Sequence, residues 1–347
     1  MKVKDLYNQK NKQELLSDLK KENFQRITLS FYKYIKLKNL EKLRDDLFLE
    51  WKKMGVLGRI YIAYEGINAQ ISISENNIDL FKKSLDQITP FKNIPFKFAI
   101  QEGLSFLKLT IKIKKEIVAY RIPENEYDMS KIGKHLNYKE YNQAIDDGAT
   151  IVDMRNYYEG EVGKFQGAII PDVDTSMELL PEVKKLLHGK ENNQILLYCT
   201  GGIRCEKASS YLIHHGFKNV SQLQGGIIKY ASDIKKNKIK SKFIGKNFVF
   251  DHRLGERVTN DIISNCHQCK SPSDNHTNCL NQACHILFIQ CDKCSKKYNN
   301  CCSKECADFI KLPKEKQKEL FKNKKINFTA QKSNRIKPKL YENIKNN

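Results

Sequence analysis

The run Cys199-Thr200-Gly201-Gly202-Ile203-Arg204-Cys205 follows the apolar stretch Ile195-Leu196-Leu197-Tyr198 and precedes a segment of helical character. A thiol at the end of a buried strand, followed by two glycines and a helix, can be wrapped by backbone N–H groups that all point inward. Gly201 and Gly202 supply the backbone freedom such a wrap needs. Those donors, the helix N-terminus and the Arg204 guanidinium all favour thiolate over thiol, and the thiolate is the nucleophile. Cys199 is therefore the predicted nucleophile and Arg204 its charge partner. Cys205 falls in the first turn of the helix, where a small buried side chain is ordinary, although a transient disulfide to Cys199 is within reach. Asp153 and Arg155 end another apolar run, where the loops of a parallel sheet build sites. They either position the loop or contact a phosphate, or they pair with each other and tie strand to loop. Glu159 and Glu161 read as surface charges.

A second concentration of chemistry lies further on. Of eleven cysteines, none precedes residue 199 and nine fall between Cys266 and Cys306. In a small secreted protein that clustering would read as a disulfide framework, and in a reducing compartment it reads as metal binding. Cys266-x2-Cys269 and Cys291-x2-Cys294 are two knuckles at the separation of a zinc ribbon, and four thiolates satisfy a structural Zn²⁺. A second site could be drawn from Cys279, Cys284, Cys301 and Cys306, with Cys302, His267, His276 and His285 close by; spacing does not fix the pairing. No apolar run reaches the roughly 18 residues of a membrane helix, and the N-terminal residues lack the apolar core of a secretory signal, so a cytoplasmic protein without a membrane partner is expected.

The elements that must carry these groups divide the chain in four. Residues 1–128 offer a strand at Ile27–Ile35, an amphipathic helix through Leu40, Leu43, Leu47 and Trp51, a hairpin turning at Glu65-Gly66-Ile67-Asn68, a second helix through Ile78, Phe81 and Leu85, and two further strands. That order is the split βαβ arrangement of ferredoxin-like and acylphosphatase-like α+β domains, with one strand to spare. After a polar linker around residues 121–134, residues 129–240 interleave short apolar strands with helices, the pattern of an α/β unit with a parallel sheet covered on both faces. Residues 241–310 form the Cys-rich module. Residues 311–347 hold few apolar side chains and a net charge of +9, and are expected to be a disordered basic tail. The whole chain carries +21, of which +11 lies beyond residue 240, and such a concentration favours a polyanionic partner.

The Cys-x4-Arg loop, Asp153-Met154-Arg155, Gly167-Ala168 before Ile-Ile-Pro and the closing Gly225-Gly226 together resemble a rhodanese domain over residues 135–240. In that fold the first cysteine of the loop carries a persulfide or acts as the nucleophile. Beyond it, SFYKY, GRIYIAYEGINAQIS, YCTGGIRCEKAS, FIGKNFVFD and CHQC resemble, over roughly residues 25–310, the bacterial tRNA uridine hydroxylases. The resemblance implies oxygen-dependent conversion of the wobble uridine, position 34, to 5-hydroxyuridine. Molecular oxygen would be the co-substrate and the tRNA anticodon arm the partner. Cys199 could add to C6 of the uracil and leave C5 nucleophilic, or act as a persulfide. The sequence carries no nicotinamide or flavin fingerprint and names no reductant. Two other readings stay open: a sulfurtransferase, and a zinc-bearing RNA-binding protein with an idle loop. Tyr32, Tyr34, Tyr61 and Tyr64 interleave with Lys and Arg as a base-stacking surface would, and Arg59 belongs to the same block.

Overall fold

Period-two alternation of apolar and polar side chains gives the N-terminal domain two unlike faces. In the computed structural model, which describes residues 8–173 and 175–322, the domain comprises α1 (Lys12–Lys20), β1 (Arg26–Tyr34), α2 (Leu40–Lys53), β2 (Leu57–Ala63), β3 (Gly66–Ser74), α3 (Ile78–Gln87), β4 (Lys97–Phe98) and β5 (Leu109–Ile113). The sheet order is β4-β1-β3-β2-β5. Its first four strands follow the expected split βαβ path, and β5 is the spare strand, parallel to β2. Leu29, Phe31, Ile60, Ile62 and Ile71 bury one face against Leu47, Trp51, Phe81 and Leu85 of α2 and α3. The opposite face is polar. There the register aligns Lys97, Ser30, Gln70 and Arg59 in one row across four strands, and Tyr32, Asn68 and Tyr61 in the next.

The central domain runs through β6 (Lys134–Leu136), α4 (Tyr138–Asp146), β7 (Thr150–Asp153), α5 (Tyr157–Glu161), β8 (Gly163–Phe165), α6 (Ser176–Leu186), β9 (Gln194–Tyr198), α7 (Ile203–His214), β10 (Asn219–Leu223) and α8 (Gly226–Asn237). Strands β6-β10-β9-β7 form the expected parallel sheet. The apolar run Ala168–Pro171 is not a full strand and contributes a single bridge from Ile169 to Val152. Strand β9 is buried on both sides: Ile195 and Leu197 face a core shared with α6 and α7, Leu196 and Tyr198 one shared with α4 and α8. That burial fixes where the strand ends, and Cys199 is the next residue.

The remaining elements are β11 (Phe243–Asn247), β12 (Glu256–Arg257), β13 (His276–Asn278), β14 (Leu287–Ile289), α9 (Asp292–Tyr298), α10 (Lys304–Phe309) and α11 (Lys314–Lys322). The boundary expected after residue 240 is not a break in packing. Strand β11 pairs with β8, and Phe243 packs on Phe165 inside the central core. The tail expected to be disordered from residue 311 is helical over α11, because Leu312 and Leu320 pack against the apolar core of the Cys module; residues 323–347 lie outside the described residues. The segment read as a linker is irregular but anchored, with Asp128 and Ser210 exchanging two hydrogen bonds. No helix among the described residues is long and apolar enough to cross a membrane.

Helix α7 is the element both domains share. The hydroxyl of Tyr32 donates to Glu206 at 2.9 Å, that of Tyr34 to the Ile203 carbonyl at 3.2 Å and that of Tyr120 to the Arg204 carbonyl at 3.1 Å. Lys207, almost wholly buried, pairs with Glu65 at 2.7 Å and Glu116 at 3.5 Å. Tyr32 and Tyr34 are therefore partly buried interface side chains and not an open stacking surface, whereas Tyr64 is exposed.

Candidate active site

Cys199 stands at the end of β9 with no solvent exposure. The Gly202 N–H donates to its Sγ at 3.1 Å. Gly202 caps α7 with φ +98°, which side-chain-bearing residues rarely adopt, and its Cα side lies against the Tyr32 hydroxyl. Gly201 needs no such freedom: a Cβ there would meet nothing. The loop's other side is closed by the start of α8, where the N–H groups of Ile227 and Ile228 donate to the carbonyls of Cys199 and Thr200. A Cβ on Gly226 would fall 2.6 Å from the Cys199 carbonyl oxygen, so the close approach depends on glycine.

Burial alone would push the Cys199 thiol up. A hydrogen bond from the Cys205 thiol, the Arg204 guanidinium and the Arg204 and Gly202 N–H groups outweigh burial and hold it at about 6. Cys205 takes the opposite direction: burial and the neighbouring Cys199 sulfur keep its proton on, which makes it a donor. It packs in the core, as its place in the first helical turn predicted.

The expectation that Glu159 is a surface charge is wrong. Its side chain is fully buried and grips Arg204 through two hydrogen bonds, 2.7 and 2.9 Å. It is also the third residue of α5, and accepts from the Asn156 N–H in a capping box. Asn156-x-x-Glu159 was the signal available in the sequence. Glu161 is likewise part-buried, accepting or sharing a proton with His267 Nε2 at 2.7 Å. Asp153 and Arg155 form a fully buried pair, with Arg155 also donating to the Gly163 carbonyl and Tyr198 to Asp153. Of the two readings left open, this is the tie of strand to loop.

A cavity of about 350 Å³ lies between the loop and the polar face of the N-terminal sheet. Ser30, Gln70, Arg59 and Lys97 line one wall, Cys199 and Arg204 the other. Phe250 and Arg253, from the segment after β11, complete it, and Arg253 is held by Asp251 and Glu256. This volume is within the range of small-ligand pockets, roughly 300–1,000 Å³.

The cysteines form two groups. Cys266, Cys269, Cys291 and Cys294 converge as expected, with all ligand atoms within 4.8 Å of one another. The second group is Cys279, Cys284, Cys302 and Cys306. Cys302 thus replaces the expected Cys301. Its Sγ lies 3.7 Å from those of Cys284 and Cys306. Cys301 instead offers its carbonyl to Gln268 and Gln290. A tetrahedron around Zn²⁺ with bonds of about 2.3 Å has sulfur–sulfur edges of about 3.8 Å, so both groups fit that ion.

The charge balance at Cys199 is open to a direct check. Site-resolved alkylation of Cys199 should rise with pH with a midpoint of about 6. Replacing Arg204 removes a cation that favours the thiolate, so the midpoint should climb and labelling at pH 6 should slow about five- to tenfold. Arg204→Ala combined with Glu159→Gln avoids leaving a bare buried carboxylate. An unchanged midpoint in the double variant contradicts the assignment.

Three family models match the chain: the UPF0176 acylphosphatase like domain over residues 26–117, the rhodanese-like domain over 137–233 and the rhodanase C-terminal domain over 244–307. A tRNA uridine(34) hydroxylase of Leptospira interrogans serogroup Icterohaemorrhagiae serovar Lai is 51% identical over 343 residues, covering 98% of this chain and 94% of its own. The protein of that name from Yersinia enterocolitica is 49% identical over 317 residues, 90% of each chain. That of Yersinia pestis (strain Pestoides F) is 48% identical, covering 90% of this chain and 89% of its own. With half its residues shared along nearly the full length of such relatives, and all three domains matched in order, the chain belongs to the tRNA uridine(34) hydroxylase family.

Proposed function

We propose that this protein is a cytoplasmic enzyme that hydroxylates the wobble uridine of tRNA at C5, with Cys199 as its nucleophile. The observation that carries the reading is a thiol held at about 6 on the wall of a cavity whose facing wall is a polar sheet. A wobble base sits in a loop and can splay into such a cavity without melting a helix. Addition of the Cys199 thiolate to the electron-poor C6 would make C5 the carbon of an enolate and so a stronger nucleophile. Molecular oxygen would supply the hydroxyl oxygen, and a two-electron reductant would take the second oxygen atom to water.

The anticodon arm would be gripped by charge. Arg59, exposed and lining the cavity, would meet a flanking phosphate. The net charge of +11 beyond residue 240 would add salt-sensitive affinity for the backbone. Both four-cysteine groups would hold structural Zn²⁺, whose role is to fold the module: four clustered thiolates repel one another without a cation.

Nucleoside analysis of tRNA treated with the protein should find wobble 5-hydroxyuridine. Cys199→Ser should fold normally and lose the modification by several orders of magnitude, because an alcohol in the same cradle is a far weaker nucleophile. Substantial modification by a folded Cys199→Ser protein would sink the mechanism, and a thiolated nucleoside in place of the hydroxylated one would favour sulfur transfer. Metal analysis of anaerobically purified protein should give about two Zn²⁺ per chain; finding none would dismiss both sites.

A further inference from the structure

Four cationic side chains line the cavity, and their partners differ. Arg204 is held by Glu159 and Thr200, and Arg253 by Asp251, Glu256 and the Gln101 carbonyl. Arg59 is exposed. Lys97 is half-buried, opposite Ser30 in the register, with its ammonium 4.1 Å from the centroid of the Tyr32 ring. The Tyr32 hydroxyl is engaged with Glu206, and among the described residues no side chain or carbonyl accepts a hydrogen bond from Lys97 Nζ. The Lys97 ammonium lines the cavity beside the Tyr32 ring, and its N–H donors have no protein acceptor among the described residues. Strand β4 packs against α8, whose first turn grips the Cys199 and Thr200 carbonyls, so Lys97 and the nucleophile are mounted on one junction. Burial draws the ammonium down to about 8, while negative charge at Cys199 and Glu206 works against that fall.

Thiolate addition to uracil creates charge at a place remote from the sulfur. As the bond from Sγ to C6 forms, the C5=C6 π pair becomes the C4=C5 bond and the C4=O4 pair moves onto O4. The step oxidises and reduces nothing, but it needs a donor at O4. Arg204 and Arg253 already spend most of their donors on protein acceptors, whereas Lys97 spends none. We propose that Lys97 is a catalytic residue that donates to O4 of the uracil attacked by Cys199 and stabilises the resulting enolate. If the proton moves fully, Nζ becomes a neutral amine and the adduct an enol, and the proton returns when the adduct collapses. The assignment rests on Cys199 being the nucleophile toward uridine.

Reversible addition has its own signature. While the adduct exists C5 can take a proton from solvent, so reversal exchanges the C5 hydrogen even without oxygen. The test uses full-length protein and a tRNA with a wobble uridine. It measures anaerobic C5 exchange in D2O, aerobic 5-hydroxyuridine formation and tRNA affinity for wild type, Lys97→Met and Lys97→Arg, with Lys97→Gln in reserve should Met impair folding. Lys97→Met should slow exchange and hydroxylation on the order of 100-fold, as loss of an oxyanion donor does, with tRNA affinity within about twofold. Lys97→Arg should recover part of the rate, since a guanidinium can donate to O4 but hardly gives up its proton. Wild-type rates in Lys97→Met, or a rate loss that tracks lost tRNA affinity, overturn the assignment. A wild type that hydroxylates without C5 exchange overturns the enolate, and with it the role of Lys97, while the functional reading stands. A wild type that yields no 5-hydroxyuridine overturns the functional reading itself.

Discussion

A negative charge on Cys199 occupies a position with no solvent exposure, and water cannot stabilise it there. Everything near the sulfur is arranged to replace water. The Gly202 N–H and Cys205 thiol donate to it, and Arg204 supplies the positive charge. Arg204 in turn would be costly to bury alone, and Glu159 meets it with two parallel hydrogen bonds. Glu159 can do so because α5 is capped by Asn156 and sits directly after β7, whose end is locked by the Asp153–Arg155 pair. The chain of support reaches the Cys module as well. Glu161, at the end of α5, binds His267, which lies between Cys266 and Cys269. An ion held by that knuckle would therefore stiffen the helix that aims Arg204.

The second requirement is a wall for the substrate. Helix α7 begins at the nucleophile's loop and continues as the docking element for the N-terminal domain, through Glu206 on Tyr32 and Lys207 on Glu65 and Glu116. One helix thus fixes the distance between the thiolate and the polar sheet face. That face is free to be polar because period-two alternation places the apolar side chains of β1, β2 and β3 against α2 and α3. Hydroxyl and amide side chains are left toward the cavity, suited to a flat base bearing carbonyls and an imide N–H.

Local features were legible in the sequence. The glycine-flanked thiol, the two knuckles and the strand–helix order of the N-terminal domain are each encoded within a short stretch. The structure puts Cys199 at a strand end and brings the four knuckle cysteines together, although only Gly202 of the two loop glycines has a positive φ. What escaped depends on packing between distant stretches. Asn156-x-x-Glu159 marks Glu159 as a helix cap, but its pairing with Arg204 exists only once α5 and α7 are brought together. Lys97 acquires its place only when four strands are in register. Cys301 and Cys302 are neighbours with identical chemistry, and the turn before α10 decides which thiol faces Cys284. The apparent break at residue 240 marks a change of composition, whereas β11 returns to the central domain through β8.

The central claim is that the wobble base enters the cavity between Cys199 and the polar face of the N-terminal sheet. An anticodon stem-loop carrying 4-thiouridine at position 34 reports this directly, because photoactivation links the base to whatever it touches. Mass spectrometry of the cross-linked peptides should locate the attachment on the loop from Cys199 to Arg204 or on the strands that carry Tyr32 and Lys97. Cross-links confined to the Cys module, with none on the cavity walls, would contradict the account.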